Sequence, residues 1–328
     1  KFYIEKGLEV IVLDNLSRPG VEHNLEWLKT IGNFKFVKAD IRDYSILEKV
    51  FGENKNIDVV FHEAAQTAVT TSVKNPREDF EINVLGTFNL LEVLRNKSPK
   101  TILIYASTNK VYGDLSYLEV IEKEKKYEFR DEKYRYGLNE NINLDFHSPY
   151  GCSKGSADQY VRDYYRIYGL KTIVFRQSCI YGPRQIGLED QGWVAWFLIR
   201  LILNKSVTIY GTGKQVRDIL FIDDLVSAYD LAIKNINITQ GKIYNIGGGY
   251  QNSISLLELI DLFKELFNKE LKYSFSDWRP GDQKIFISDN SLLKKDLNWE
   301  PKIDYKTGIK ILYNWLMENK NLIEKVQN

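Results

Sequence analysis

At 328 residues, with 45 Lys and Arg against 44 Asp and Glu, the chain carries a formal charge of +1. That balance excludes the strong field expected of a nucleic-acid binder or of a protein held to an anionic membrane. No run of about 18 apolar residues offers a membrane span. Two cysteines (Cys152 and Cys179) and three scattered histidines suggest neither a disulfide framework nor metal-ligand spacing, so a reducing, cytoplasmic setting is expected, with no metal.

Residues 1–7 read as the last turn of a helix, with Gly7 beyond its end. Leu8 to Leu13 is a short β-rich run that ends at Asp14-Asn15-Leu16-Ser17-Arg18. In a doubly wound sheet, an acid there accepts hydrogen bonds from an adenosine ribose and repels a 2′-phosphate, which favours NAD over NADP. The glycine fingerprint of such a fold lies about 20 residues earlier, so it is expected ahead of residue 1, together with the first strand.

Phe34 to Val37 reads as a strand ending at Asp40-Ile41, with Asp43 capping a helix that runs through Phe51. Ile57 to His62 is a further strand, running into Glu63-Ala64-Ala65-Gln66, where small residues let a ligand approach the backbone. Pro76 opens a long helix to about Asn96 holding Asn83, a polar residue among apolar neighbours that needs a partner if buried. Thr101 to Ala106 is a strand followed by Ser107-Thr108-Asn109-Lys110, hydroxyls at the carboxyl end of a strand where open sheets bind ligands. Residues 114–146 are charged and weakly patterned: a loop excursion that covers a pocket, or solvated surface.

His147-Ser148-Pro149 then starts a helix closed by Gly169, with Ser148 as cap and Pro149 in the first turn. Tyr150 and Lys154 stand one turn apart on one face. An ammonium beside the phenol is expected to pull its pKa down from about 10, toward a value suited to a general base. A second Tyr-x-x-x-Lys, Tyr210 to Lys214, contains two glycines and is not expected to be helical. Strand Thr172 to Phe175 leads into Arg176-Gln177-Ser178-Cys179. From there the alternation loosens: a Trp-rich helix over 193–203, strands at 206–210 and 242–246, helices at 255–268 and 303–319, and a polar turn from Trp278 to Gln283.

Taken in order, these motifs resemble the extended short-chain dehydrogenase/reductase family of nucleotide-sugar enzymes over the whole chain. The matching residues are Asp14, Asp40-Ile41, His62-x-Ala64-Ala65, Asn83-Val84-x-Gly86-Thr87, Ser107-Thr108, Val111-Tyr112-Gly113, Tyr150-x-x-x-Lys154, Tyr181-Gly182-Pro183, Arg217-Asp218, Asn245-x-Gly247 and Arg279-Pro280-Gly281-Asp282. Longer strings, Asp14 to Arg18, Ser107 to Leu115, Leu144 to Gly155, Asp190 to Val194 and Gly213 to Asp218, are similar to the family's CDP-sugar 2-epimerase branch.

The resemblance implies an α/β fold: a Rossmann-like doubly wound parallel sheet over 1–176 that binds NAD, and a smaller α+β substrate lobe over 177–328, possibly interleaved with it. It implies Thr108, Tyr150 and Lys154 as catalytic residues. Asp14, Asn15, Ser17, Arg18, Asp40, Ile41, Ala64, Ala65, Gln66, Asn83, Tyr150, Lys154 and Gln177 are the expected cofactor contacts. Ser72, Thr108, Asn109, Gln185, Arg217, Arg279 and Asp282 are the expected contacts to a CDP-sugar, with Arg217 and Arg279 on its diphosphate. Homo-oligomers, dimers or tetramers, are also implied. Where the family's 4,6-dehydratases carry Thr-Asp-Glu, this chain has Thr108-Asn109-Lys110, without the acid–base pair that eliminates water. Epimerisation at C2 of a CDP-linked 3,6-dideoxyhexose is therefore expected; a UDP-sugar 4-epimerase and a non-catalytic nucleotide-binding protein remain the alternatives.

Overall fold

A computed structural model describes residues 1–327. Its strands are β1 (Ile11–Asp14), β2 (Lys35–Lys38), β3 (Val59–His62), β4 (Ile102–Thr108), β5 (Val120–Glu122), β6 (Tyr127–Phe129), β7 (Thr172–Gln177), β8 (Cys179–Tyr181), β9 (Val207–Tyr210), β10 (Val216–Phe221), β11 (Ile243–Ile246), β12 (Ser253–Ser255), β13 (Tyr273–Ser276) and β14 (Ile285–Phe286). Parallel strands in the order β11-β7-β4-β3 form the main sheet, and β1 and β2 form a separate parallel pair. Among the described residues, neither β1 nor β3 has a second hydrogen-bonded neighbour, and their apolar residues are half-buried where those of β7 are buried.

The division expected between residues 176 and 177 falls inside β7, whose last residue Gln177 still pairs in the first sheet. The chain later returns: β11 joins the first sheet, and the helix Ile222–Lys234 packs Leu225, Ala228 and Ala232 against Phe175 and Tyr244. The carboxyl part forms its own sheet around β10, flanked by β8, β12 and β14. Its core gathers Phe197, Leu198, Ile209, Phe263, Leu312 and Leu316. The two units are thus interleaved along the chain.

The helix Ser148–Tyr168 buries Ala157, Val161 and Tyr164 against Leu91, Leu94 and Leu103. Burying a side chain of this kind contributes about 1.5–3 kcal/mol, which fixes the helix to β4 and with it the direction of Tyr150 and Lys154. The helix starts one residue earlier than expected, with His147 at the N-cap position and Ser148 in the first turn, where its hydroxyl accepts the Gly151 N–H at 3.2 Å. Gly169 ends the helix with φ at 70°, as expected of a glycine there. Asp43 caps the helix Tyr44–Glu53 by accepting from the Ser45 and Ile46 N–H groups.

Two local expectations change. The helix opening at Pro76 reaches Lys97, but Glu81–Leu85 is a π-helical turn. Its widening carries Asn83 inward, where Nδ2 donates to the Gln66 carbonyl at 3.0 Å and the Ser153 hydroxyl at 3.0 Å, and Oδ1 accepts the Gln66 N–H at 2.9 Å. The 114–146 excursion covers no pocket. It forms the hairpin β5–β6 and packs away from the cleft, with Leu115, Leu118 and Leu138 against Phe286, and Tyr127 against Val216 and Ile285. The weak pattern conceals this because its buried residues lean on carboxyl-terminal segments far away in the sequence.

Candidate active site

The carboxyl ends of β1, β3, β4 and β7 open onto one cleft of about 690 Å³, closed on its other side by the carboxyl unit. Asp14, Asn15, Ser17, Arg18, Asp40, Ile41, Ala64 and Ala65 border one end; Thr108, Asn109, Tyr150, Lys154, Gln177, Gln185, Arg217, Arg279 and Asp282 border the rest.

Three expected contacts stand behind the cleft wall instead of in it. Gln66 and Asn83 hydrogen-bond one another and both donate to Asp79 Oδ1. Ser72, expected at the sugar, is buried beneath the helix start, where its hydroxyl accepts the Tyr150 N–H at 3.1 Å and donates to the Val69 carbonyl at 2.7 Å. It positions the backbone that carries the phenol.

Tyr150 and Lys154 share the cleft as the i, i+4 spacing requires, but their electrostatics differ from the simple expectation. Burial pushes the Tyr150 phenol up to about 12; the Thr108 hydroxyl opposes this and the Asp79 charge adds to it. Lys154 is not among the influences on that phenol. Its ammonium donates to the Ala106 carbonyl at 2.6 Å and lies 4.4 Å from the Tyr105 ring centre. Burial lowers the Lys154 pKa to about 8, against the pull of Glu63, Asp158 and Asp79. Desolvation thus sets the direction of both shifts, and neither group acts measurably on the other.

Residues the sequence did not single out also border the cleft. Lys110 reaches Asp282 at 3.4 Å and the Gly281 carbonyl at 3.2 Å, while Arg217 meets the same Asp282 oxygen at 2.7 Å. Burial disfavours the charged Asp282, yet Lys110 and Arg217 outweigh it and hold the carboxyl below its usual range. Arg279 lies 4.0 Å over the Tyr210 ring and 3.4 Å from Asp190. Glu63 lies beside Lys154, and an acid directly after an apolar strand was its available signal. Tyr210 and Lys214 separate, to Glu189 and Glu122, because the glycines between them form a turn.

The model of the family described as GDP-mannose 4,6 dehydratase matches residues 1–312. The chain belongs to the NAD-dependent nucleotide-sugar epimerase/dehydratase family. It is 45% identical to a CDP-paratose 2-epimerase of Salmonella typhi over 96% of this chain and 94% of that one. Its fold is that of a UDP-glucose 4-epimerase from Thermotoga maritima solved with UDP-glucose (TM-score 0.82, 30% identity, 97% and 94% of the two chains). A Thermus thermophilus UDP-glucose 4-epimerase in complex with NAD is similar too (TM-score 0.78, 30% identity, 96% and 93%).

The donor set fits a dinucleotide of this family at both ends. Asp14 accepts the Leu16 N–H through one oxygen, leaving the other for a ribose hydroxyl. Asp40 is held by the Arg42 fork at 3.0 and 2.8 Å and by Asn15 at 3.0 Å. Lys154 and Gln177 flank Thr108 at the opposite end. Among the described residues, no glycine-rich turn borders the middle of the cleft. Nor is any group of three His, Cys, Asp or Glu side chains among them placed to hold a metal.

Proposed function

We propose that this enzyme inverts C2 of a CDP-linked 3,6-dideoxyhexose, interconverting CDP-paratose and CDP-tyvelose, with NAD retained through the cycle. The observation that carries this reading is the composition of the reacting end. Thr108, Tyr150 and Lys154 converge there, whereas Asn109 and Lys110 stand where dehydration needs a carboxylic acid and a carboxylate. Asn109 is tied to Gln283 at 3.4 Å and Lys110 to Asp282, and neither supplies the carboxylic acid and carboxylate that elimination uses. The likeness to the Salmonella typhi enzyme supports the choice of C2 and of CDP.

Bound NAD supplies a reversible hydride acceptor. In the loaded site the positive nicotinamide ring of oxidised NAD would favour the phenolate that burial disfavours. In that form Tyr150 takes the proton of the C2 hydroxyl as the carbon is oxidised and returns it when the carbon is reduced from the opposite face. Thr108 holds that hydroxyl beside the phenol and, by favouring the phenolate, offsets part of the cost of burial. Lys154, still cationic near neutral pH, would hydrogen-bond the ribose on the nicotinamide side. Arg217 reaches the diphosphate while remaining anchored to Asp282. The sugar needs looser contacts than the nucleotide, because the keto intermediate must turn its other face.

Supplying CDP-paratose, CDP-tyvelose and UDP-glucose separately tests the reading. CDP-sugar interconversion without added cofactor, and no turnover of UDP-glucose, is expected; the reverse preference would establish a 4-epimerase. A second copy of the chain is the expected partner. Phe80, Phe88 and Tyr160 are exposed on the adjoining helices Pro76–Lys97 and Ser148–Tyr168, and Phe88 packs edge-on to Tyr160, so the two helices share one apolar face. Light scattering is expected to show a dimer that Phe80→Asp with Tyr160→Asp converts to monomer.

A further inference from the structure

One chain of hydrogen bonds at the reacting end has a direction that its first member imposes. The Tyr229 hydroxyl, on the helix Ile222–Lys234, donates to Glu63 at 2.9 Å; burial raises the Glu63 pKa, while this hydrogen bond and the Lys154 charge favour its carboxylate form. A phenol has a single hydrogen, so the Tyr229 oxygen can then only accept. It accepts from Gln177 Nε2 at 2.6 Å. Burial and the adjacent Glu63 charge push the Tyr229 pKa well up, which keeps this hydrogen in place.

The orientation of the Gln177 amide follows. With its nitrogen held by Tyr229, the other end of the amide is the carbonyl oxygen Oε1, which has no protein donor among the described residues. Gln177 borders the cleft and pairs directly with Thr108 across the β4–β7 ladder, so the residue that carries this acceptor belongs to the same end of the cleft as Thr108. Without Glu63, Tyr229 could donate to Gln177 instead, and the amide would be free to present nitrogen or oxygen.

We infer that Glu63 and Tyr229 are positioning residues that commit Gln177 to accept a hydrogen bond from the carboxamide N–H2 of the nicotinamide, fixing which face of the ring meets the sugar. This rests on the NAD reading above. Three elements distant in sequence supply the relay: the end of β3, the end of β7 and a helix of the carboxyl half. A segment that returns from the carboxyl half of the chain to the first sheet thereby takes part in aligning the cofactor.

The test compares NAD with 3-acetylpyridine adenine dinucleotide, in which a methyl group replaces the carboxamide N–H2. Affinities are read from quenching of tryptophan fluorescence in the wild-type chain and in Glu63→Gln, Tyr229→Phe and Gln177→Leu. One net hydrogen bond corresponds to about a tenfold preference of the wild type for NAD. Tyr229→Phe keeps the buried ring, so it is expected to lose that preference through weaker NAD binding while analogue binding stays within about twofold. Glu63→Gln is expected to do the same in part. Equal weakening of both dinucleotides would show a merely structural role and overturn the inference, as would a wild type that binds the two alike while retaining NAD. Failure of the wild type to bind either one would overturn the NAD reading itself, and this inference with it.

Discussion

Two groups of buried charges lie within one turn of each other on the helix Ser148–Tyr168, and they are built on opposite principles. Behind the sheet, Asp158 receives both the Nε and Nη2 of Arg176, at 2.9 and 3.0 Å, and the Ser107 hydroxyl at 2.7 Å. Arg176 Nη1 donates to Tyr112, whose hydroxyl donates to Asn245. Burial alone would lower the guanidinium pKa, yet Asp158 holds it above its ordinary value. On the cleft side, Lys154 is as deeply buried but has one backbone carbonyl as its hydrogen-bond acceptor, and its pKa falls. The first group is closed and serves the fold. The second is left short of partners and so retains capacity for a ligand, as sites of chemistry commonly do.

Substitutions sharpen this contrast, beginning with the largest effect. Tyr150→Phe is expected to reduce turnover by about 10³-fold with melting unchanged, because it removes the proton acceptor and little packing; steady-state rates and a thermal melt check both halves. Arg176→Met should do the reverse in kind, costing about 3–5 kcal/mol of stability by leaving Asp158 buried and unpaired. Urea unfolding measures that loss.

Lys154→Met should also change stability, but with the opposite sign. The folded pKa of about 8 lies below the ordinary 10.5, so between those values the unfolded chain holds more protons and stability rises with pH. The cost of burying this charge is therefore fully present below pH 8. The variant is expected to melt higher than wild type at pH 7, to lose that advantage by about pH 10.5, and to lose activity throughout. A variant that melts well below wild type at pH 7 would put Lys154 in the same class as Arg176. Ser72→Ala is the smallest change: it removes the acceptor of the Tyr150 N–H, at a cost of about 1–2 kcal/mol, with a several-fold fall in kcat and little change in KM.

The Tyr150–Lys154 pair was legible because i, i+4 spacing on a helix is a local property, and Ser148, Pro149 and Gly169 mark where that helix begins and ends. The same holds for Asp14 and for Thr108, each at the end of an apolar run. Ser72 was not legible in its true role, since nothing nearby in the sequence shows that its hydroxyl meets an N–H 78 residues later. Glu63 was overlooked for the same reason: Tyr229, which gives it meaning, is 166 residues away.

The sequence by itself determined the order of the elements, the helix faces and the chemical types gathered at the strand ends, because these follow from periodicity, capping and side-chain chemistry within a few residues. Tertiary structure alone decided the pKa directions of Tyr150 and Lys154, the packing of residues 114–146 away from the cleft, and the direction of the Glu63–Tyr229–Gln177 relay. Desolvation and hydrogen-bond polarity depend on which distant segments close around a group, and that information exists only once the chain has folded.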